Sequence, residues 1–123
     1  MKNIKLSKNL NHTWFIDLDG TIVNHNGYLA GNDTLLRGVQ SFFKKIPKKD
    51  IIIITTSRDK KNSKQIINFL KKNKIKFDQI IFNLPYGERI LINDIKPKNR
   101  LLTAKSINLK RNSGLYNYKL ILK

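Results

Sequence analysis

Two carboxylates close to the N-terminus are the residues best suited to chemistry. Asp17 and Asp19 follow the apolar residues 14–16 and are separated only by Leu18. Residues at i and i+2 of an extended strand lie on the same side, so both carboxylates are predicted to face one way. Burial of such a pair lowers the stability of the fold, because the two like charges repel each other and both lose their hydration. A divalent cation relieves both costs through oxygen ligands, so the pair predicts a metal site, with an ordinary acidic turn as the alternative.

Two further polar groups fall where other strands are predicted to end. The continuous β-branched run over residues 51–54 is typical of a strand buried on both faces of a parallel sheet. A later strand is predicted over residues 89–92. Because ligands of open α/β sheets bind beyond the carboxyl ends of the strands, the three polar groups are predicted to converge on one site. The two further groups are Thr55, Thr56, Ser57 and Arg58 after the first of these strands, and Asn93 and Asp94 after the second.

The order of the predicted elements indicates the fold class. Strands are predicted over residues 13–18, 51–54, 79–82 and 89–92. One helix is predicted between a cap at Asp33 or Thr34 and Pro47, and another is predicted to be capped by Ser63. Residues 106–109 and 118–122 could each add a strand, and residues 1–11 are predicted to be a loose lead-in. This alternation predicts a three-layer α/β fold around a central, mainly parallel sheet. The 123 residues are expected to form a single domain, 1–123.

The turn after the first strand resembles the motif of a known family. It reads Asp17-Leu18-Asp19-Gly20-Thr21, which resembles the first motif, DxDGT, of the haloacid dehalogenase-like (HAD) phosphohydrolases. The threonines after the second predicted strand, Thr55 and Thr56, are similar to that family's second motif, and Asn93-Asp94 is similar to its fourth. The motifs occur in the family's order, and the resemblance covers roughly residues 13–109. It implies a Rossmann-like HAD fold without a large cap domain, similar to bacterial phosphatases of capsule biosynthesis, with residues 20–32 forming a small flap.

The resemblance implies a role for each matching residue. Asp17 would be the nucleophile that forms an aspartyl-phosphate, and Asp19 would protonate the leaving oxygen and then activate the attacking water. The implied cofactor is Mg²⁺, held by Asp17, the Asp19 backbone carbonyl, Asp94 and Asn93. The implied phosphate-binding residues are Leu18, Gly20 and Thr21 in the turn, and Thr56 (or Thr55), Ser57 and Arg58 after the next predicted strand.

Two positions depart from the family's pattern. Asn93 stands where the family carries an acid, which removes one negative charge and should weaken metal affinity. The related capless phosphatases carry a lysine after the third strand, whereas the corresponding position here is Leu84. Loss of such an electrostatic clamp costs about a hundredfold or more in rate, so a weakly active protein is an open alternative. The cations that could replace the lysine from elsewhere are Lys64, Arg89 and Lys96.

Charge, hydropathy and cysteine content indicate the class of partner and the cellular compartment. A formal charge of +17 indicates either a positive surface that binds nucleic acid or another polyanion, or a lysine-rich composition without a specific role. No aromatic-interleaved basic block or nucleic-acid motif is present, which favours the second interpretation. No apolar run is long enough to predict a membrane span, and residues 1–11 lack the apolar region of a signal peptide. The absence of cysteine fits a cytoplasmic protein.

Three functions are consistent with these residues. The favoured one is an Mg²⁺-dependent phosphatase for a small phosphorylated metabolite, such as a sugar phosphate, with a partner subunit or a homo-oligomer covering an open site. The alternatives are a catalytically weak HAD-like binding module and, less favoured, a nucleic-acid end-processing phosphatase. His12 and His25 are isolated, which predicts surface or packing roles, although His25 lies in the flap and could contact substrate.

Overall fold

Parallel strands form the framework that carries the predicted site. The computed structural model describes all residues, 1–123, and has an α/β fold with two small parallel sheets. In the larger sheet, β2 (Thr13–Asp17) pairs with β3 (Ile51–Thr55), and β3 pairs with β4 (Gln79–Ile81). Its register sets Asp17 opposite Thr55 at the carboxyl ends of neighbouring strands. The strands predicted over residues 13–18, 51–54 and 79–82 are therefore confirmed.

The two ends of the chain form the smaller sheet. There β1 (Lys2–Leu6) lies parallel to β5 (Tyr118–Leu122), with Ile4 opposite Leu120. The strand predicted over residues 118–122 is confirmed, but the loose lead-in predicted for residues 1–11 is wrong over β1. The local pattern of β1 is weak because Ile4 is its only fully buried residue. Its partner strand lies at the other end of the chain, so the residues around β1 carry no sequence pattern that predicts the pairing.

Two short helices follow the first two strands of the larger sheet. They are α1 (Val39–Lys45) and α2 (Ser63–Lys72), and Ser63, predicted to cap the second helix, is its first residue, with Asn62 at the cap. The start predicted for α1 at Asp33 or Thr34 is wrong, because Leu35 forms a bridge with Val23 and Gly38 takes a left-handed φ of 78° directly before the helix. Neither helix has the length and apolar character needed to traverse a bilayer.

The hydrophobic core lies against one face of the larger sheet. Its members include Ile16 of β2 and the fully buried Ile52 and Ile54 of β3. On the opposite face Phe15 and Ile51 are exposed. The prediction that β3 is buried on both faces is therefore wrong. A run of four isoleucines has no alternation, and it therefore cannot distinguish one buried face from two. The remaining core side chains come largely from the helices and the turn after β2, including Leu18, Ile22, Val39, Phe42, Ile66 and Leu70.

The stretch between β4 and β5 differs most from the predicted fold. The strands predicted over residues 89–92 and 106–109 are absent, and both ranges lack regular secondary structure. Ile90 and Ile92 are largely exposed to solvent. Strand-like composition forms a strand only where a neighbour pairs its backbone, and β4 is the last strand at its edge of the larger sheet.

Candidate functional site

The turn that follows β2 folds back on itself through its own backbone. The Leu18 carbonyl accepts hydrogen bonds from the N–H groups of Thr21, Ile22 and Val23, at 3.3, 2.9 and 3.1 Å. The Gly20 N–H donates to the Val23 carbonyl at 2.7 Å, and the Leu18 N–H donates to the Thr55 carbonyl at 3.0 Å. Leu18, Gly20 and Thr21, the turn residues implied to bind phosphate, therefore already donate their backbone N–H groups, Leu18 to β3 and the other two within the turn.

Asp17 lies at the end of β2 and is the half-exposed carboxylate of the site. Its side chain is 43% exposed, and its Oδ2 accepts a hydrogen bond from Thr21 Oγ1 at 3.2 Å. Arg89 Nη2 lies 3.8 Å from its Oδ1. Burial raises the pKa of Asp17, and the neighbouring charge of Asp19 adds to this rise, against the lowering effects of Arg89 and Thr21. A carboxylate that is partly desolvated and still accessible is a suitable nucleophile.

Asp19 is held in a polar cluster that we call the Arg58 cluster, made of Asp19, Asp33, Thr56 and Arg58. The Asp19 carboxylate accepts from Arg58 Nη2 at 2.7 Å and from Arg58 Nε at 3.1 and 3.2 Å. The Thr56 hydroxyl donates to Asp19 Oδ2 at 3.3 Å and accepts from the Arg58 N–H at 3.1 Å. Of the two threonines considered for the second motif, Thr56 is the one that touches the acidic pair, whereas Thr55 lies opposite Asp17 in the sheet.

Arg58 is buried between two carboxylates instead of pointing freely toward a substrate. Its other side donates to Asp33 Oδ1 and Oδ2 at 2.7 and 3.1 Å, and its guanidinium lies 4.0 Å from the Tyr28 ring centroid. Only 3% of Arg58 is exposed, and the side chains of Asp33 and Asp19 are 3% and 17% exposed. Burial opposes the charged form, but the hydrogen bonds with Asp33 and Asp19 outweigh it and raise the pKa of Arg58 above its usual value.

Residues 20–32, the predicted flap, form a loop that is closed against this cluster. The loop contains one short 3-10 turn, Gly27–Ala30, and its two ends are joined by the Val23–Leu35 bridge. Tyr28 and Asp33 attach it to Arg58 as described above. His25, considered as a substrate contact, uses its backbone N–H to donate to Asn112 Oδ1 at 2.8 Å.

The loop after β4 brings the third-motif position next to the end of β3. The Leu84 N–H donates to the Thr56 carbonyl at 3.1 Å, and the Asn83 N–H donates to the Arg58 carbonyl at 2.8 Å. Ser57 Oγ lies 3.5 Å from the Pro85 carbonyl oxygen. No cation stands at Leu84 itself. Of the three replacements considered, Arg89 lies beside Asp17, whereas Lys64 and Lys96 are exposed and form no ion pair.

Asn93 and Asp94 do not join the acidic pair in this structure. No three histidine, cysteine, aspartate or glutamate side chains lie close enough together to hold a metal ion, so Asp94 does not stand beside Asp17 and Asp19. Both residues are exposed, and the Asp94 carbonyl accepts a hydrogen bond from Thr103 Oγ1 at 2.7 Å. The structure thus brings together the residues that follow β2 and β3, and it leaves residues 93 and 94 exposed.

An open recess borders the acidic pair. It has a volume of about 280 Å³ and is lined by Asp17, Asp19, Gly20, Thr21, Leu109 and Arg111. Sequence patterns did not indicate Arg111, because it belongs to a polar turn far along the chain that carries no motif. Asp33 was predicted only as a helix cap, and nothing local marks it as a partner of Arg58. Both residues reach the site through tertiary contacts.

No family model, curated protein or solved structure matches this chain. Of the predicted metal set, Asp17 and Asp19 are the two residues that line the recess, and the backbone carbonyl of Asp19 accepts no backbone hydrogen bond. Mg²⁺ in proteins commonly uses one or two carboxylates and completes its shell with water and substrate oxygens. The donor set therefore fits a magnesium ion that is held in part by substrate.

Proposed function

We propose that the protein is a phosphatase that hydrolyses small phosphate monoesters, with Asp17 as the nucleophile. The observation that carries the proposal is the meeting of two strand ends. Asp19, which follows β2, accepts hydrogen bonds from Thr56 and Arg58, which follow β3, and Asp17 at the end of β2 lines the same recess of about 280 Å³ as Asp19. The carboxyl ends of parallel strands are the usual position of ligand sites in α/β sheets, which supports a site at this place.

The proposed reaction proceeds through two in-line displacements. A carboxylate oxygen of Asp17 attacks phosphorus, the bond from phosphorus to the ester oxygen breaks, and that oxygen takes a proton from the Asp19 carboxyl group. Water then attacks phosphorus and gives one proton to Asp19, and the bond from phosphorus to the Asp17 oxygen breaks. Inorganic phosphate leaves, and Asp17 and Asp19 return to their starting states. The half-exposed Asp17 and its neighbour at i+2 have the side-chain types that these two roles need.

The Arg58 cluster affects the proton-transfer role of Asp19. Arg58 orients the Asp19 carboxylate and neutralises its charge, so at least one of these hydrogen bonds must break before Asp19 can carry a proton. The Arg58 guanidinium is buried and does not line the recess, whereas the Asp19 side chain does. Asp19 would therefore be freed for acid catalysis by its own rotation toward the bound substrate, not by competition for the arginine.

The proposal includes Mg²⁺ as cofactor and a HAD-like, Rossmann-type architecture. The Asp17 carboxylate and the Asp19 carbonyl would hold the ion, whereas Asp94 is exposed and does not line the recess. When bound, the ion would reduce repulsion between the phosphate and Asp17. The DxDGT turn and the parallel order of β2, β3 and β4 support the architecture. The open recess is consistent with a partner subunit, or a second copy, that completes the site.

Hydrolysis of an aryl phosphate tests the proposal directly. We expect Mg²⁺-dependent release of phosphate by the wild-type chain and a loss of at least about a thousandfold in Asp17→Asn, because the amide is a far weaker nucleophile. Asp59→Asn is the matched control: it makes the same chemical change at an exposed acid that caps a short turn away from the recess, and it should keep the wild-type rate. Absence of turnover across a panel of phosphate monoesters, or full activity of Asp17→Asn, would contradict the proposal.

A non-catalytic phosphate-binding module is the second candidate function. Two observations favour it: Asp19 is hydrogen-bonded to Arg58, and the backbone N–H groups of Leu18, Gly20 and Thr21 already donate to carbonyls of β3 or of the turn. A module of this kind would bind inorganic phosphate or beryllofluoride but release no phosphate from any monoester. Calorimetric binding combined with absence of turnover would support the module, and measurable turnover would exclude it.

A further inference from the structure

We propose that Arg111 is the phosphate-binding cation of the recess and fills the role left open at Leu84. This inference rests on the proposed function, because it assigns the group that neutralises the substrate's phosphate. Arg111 lies outside residues 13–109, which carry the motif resemblance, and it follows β4 by about 30 residues. Its position in the site is a tertiary feature of this chain.

The side chain of Arg111 crosses the turn that holds the two acids. It lines the recess together with Asp17 and Asp19. A Cβ added at Gly20 would lie 3.2 Å from Arg111 Cγ, so the arginine stem is packed directly over the glycine. Gly20 also has a φ of 85°, a conformation that side chains disfavour. The glycine therefore serves both the turn and the close approach of Arg111.

The residue after Arg111 fixes this segment to the turn that holds the two acids. The Asn112 N–H donates to the Gly20 carbonyl at 2.9 Å, and Asn112 Oδ1 accepts from the His25 N–H at 2.8 Å. A few residues further on, Leu115 is buried in the core and its N–H donates to the Arg37 carbonyl at 2.8 Å. These tethers hold the base of the Arg111 side chain in one position, which reduces the entropy lost when it binds an anion.

Arg111 is also the arginine of the site whose donors are unused. Arg58 is saturated by two carboxylates, and Arg89 lies 3.8 Å from Asp17. Arg111 forms no ion pair within 4.0 Å and donates no hydrogen bond to another residue. Its planar guanidinium offers five N–H donors in a geometry that matches phosphate oxygens. A phosphate dianion placed beside the Asp17 carboxylate needs such a positive charge, because the two would otherwise repel each other.

Removal of the charge at Arg111 tests the proposal. In Arg111→Met, which keeps the length of the stem, we expect kcat/KM for an aryl phosphate to fall about a hundredfold or more and the inhibition constant of inorganic phosphate to rise at least about tenfold. Arg111→Lys should recover part of both, and guanidinium added in solution should partly rescue Arg111→Ala. Lys110→Met removes a charge from the adjacent residue, which does not line the recess, and should stay within about threefold of wild type.

Binding of inorganic phosphate, measured by calorimetry, separates this inference from the proposed function. If the wild-type chain binds phosphate without turnover, loss of binding in Arg111→Met but not in Lys110→Met supports the inference while the phosphatase proposal fails. If the wild type is active and Arg111→Met matches it in rate and phosphate inhibition, the inference is wrong and the proposed function stands. A wild-type chain that neither binds phosphate nor turns over would overturn both.

Discussion

Replacement of Arg58 by methionine should destabilise the fold more than any other exchange of a cationic side chain. The methionine keeps most of the volume but removes the charge that neutralises Asp19 and Asp33. Four hydrogen bonds of 3.1 Å or shorter, at 2.7, 2.7, 3.1 and 3.1 Å, would be lost with it. Asp33 would then be a buried carboxylate without a cation, and such groups are among the costliest in a folded protein.

The size of the effect follows from how deeply each acid is buried. Removal of one partner from a buried ion pair costs about 3–5 kcal/mol. The Asp33 side chain is 3% exposed and should contribute nearly in full, whereas Asp19, at 17% exposed, recovers part of its loss from water. We therefore expect a loss of about 3–4 kcal/mol, which for a chain of this length corresponds to a fall in Tm of roughly 10–15 °C.

Urea unfolding followed by tryptophan fluorescence measures this loss. Trp14 is the only tryptophan, and its ring packs edge-on against Phe42 at 5.8 Å, so its emission reports on the core. Lys64→Met is the matched control, because Lys64 is exposed on α2 and forms no ion pair; it should change stability by less than about 0.5 kcal/mol.

A second substitution tests the physical reason for the loss. If the cost of Arg58→Met comes from the unpaired buried charge, adding Asp33→Asn should restore about 1 kcal/mol or more, although Asp33→Asn alone destabilises the wild type. A loss below about 1 kcal/mol in Arg58→Met, or an additive further loss in the double variant, would refute the role assigned to the cluster.

Two other perturbations give predictions for stability and for pH dependence. Burial alone would raise the pKa of Asp50, but hydrogen bonds from Trp14 and His12 outweigh it and lower the pKa below 3.8. The native chain therefore binds this proton less tightly than the unfolded chain, so the stabilisation is complete above about pH 4 and is lost as the pH falls through the lower folded pKa. Asp50→Asn should cost about 2–3 kcal/mol at pH 7 and progressively less below pH 4, as measured by urea titrations at several pH values. Arg89 lowers the pKa of Asp17, so Arg89→Met should move the acid limb of the pH profile of kcat/KM to higher pH, and an unmoved limb would exclude this coupling.

The ends of β2 and β3 could be predicted from the sequence because the signals there are local. The apolar run before Asp17 and the isoleucine run before Thr55 each indicate a strand, and parallel pairing of neighbouring strands then brings both ends together. The same reasoning predicts that Thr56 and Arg58 lie at the site, but it does not predict that Arg58 is buried. An arginine in a loop is usually exposed, and only the tertiary approach of Asp33 makes this one part of the interior.

The rest of the site depends on contacts that leave no periodic signal. The pairing of Asp33 with Arg58 joins residues 25 positions apart, and Arg111 reaches Gly20 from the opposite end of the chain. The strand predicted before Asn93 does not form, because a local pattern is present there without a tertiary contact. Its residues have strand composition, but no neighbouring strand pairs with their backbone, so Asp94 is not delivered to the sheet edge where the other acids lie.

The central claim is that Asp17 attacks phosphorus, and an acid-quenched reaction tests it most directly. The wild-type chain is mixed with an aryl phosphate and Mg²⁺, quenched in acid during turnover, digested, and mapped by mass spectrometry. We expect phosphate on the peptide that contains Asp17, with none on that peptide in Asp17→Asn. Phosphate on another residue, or turnover with no phosphorylated peptide at any quench time, would contradict the account.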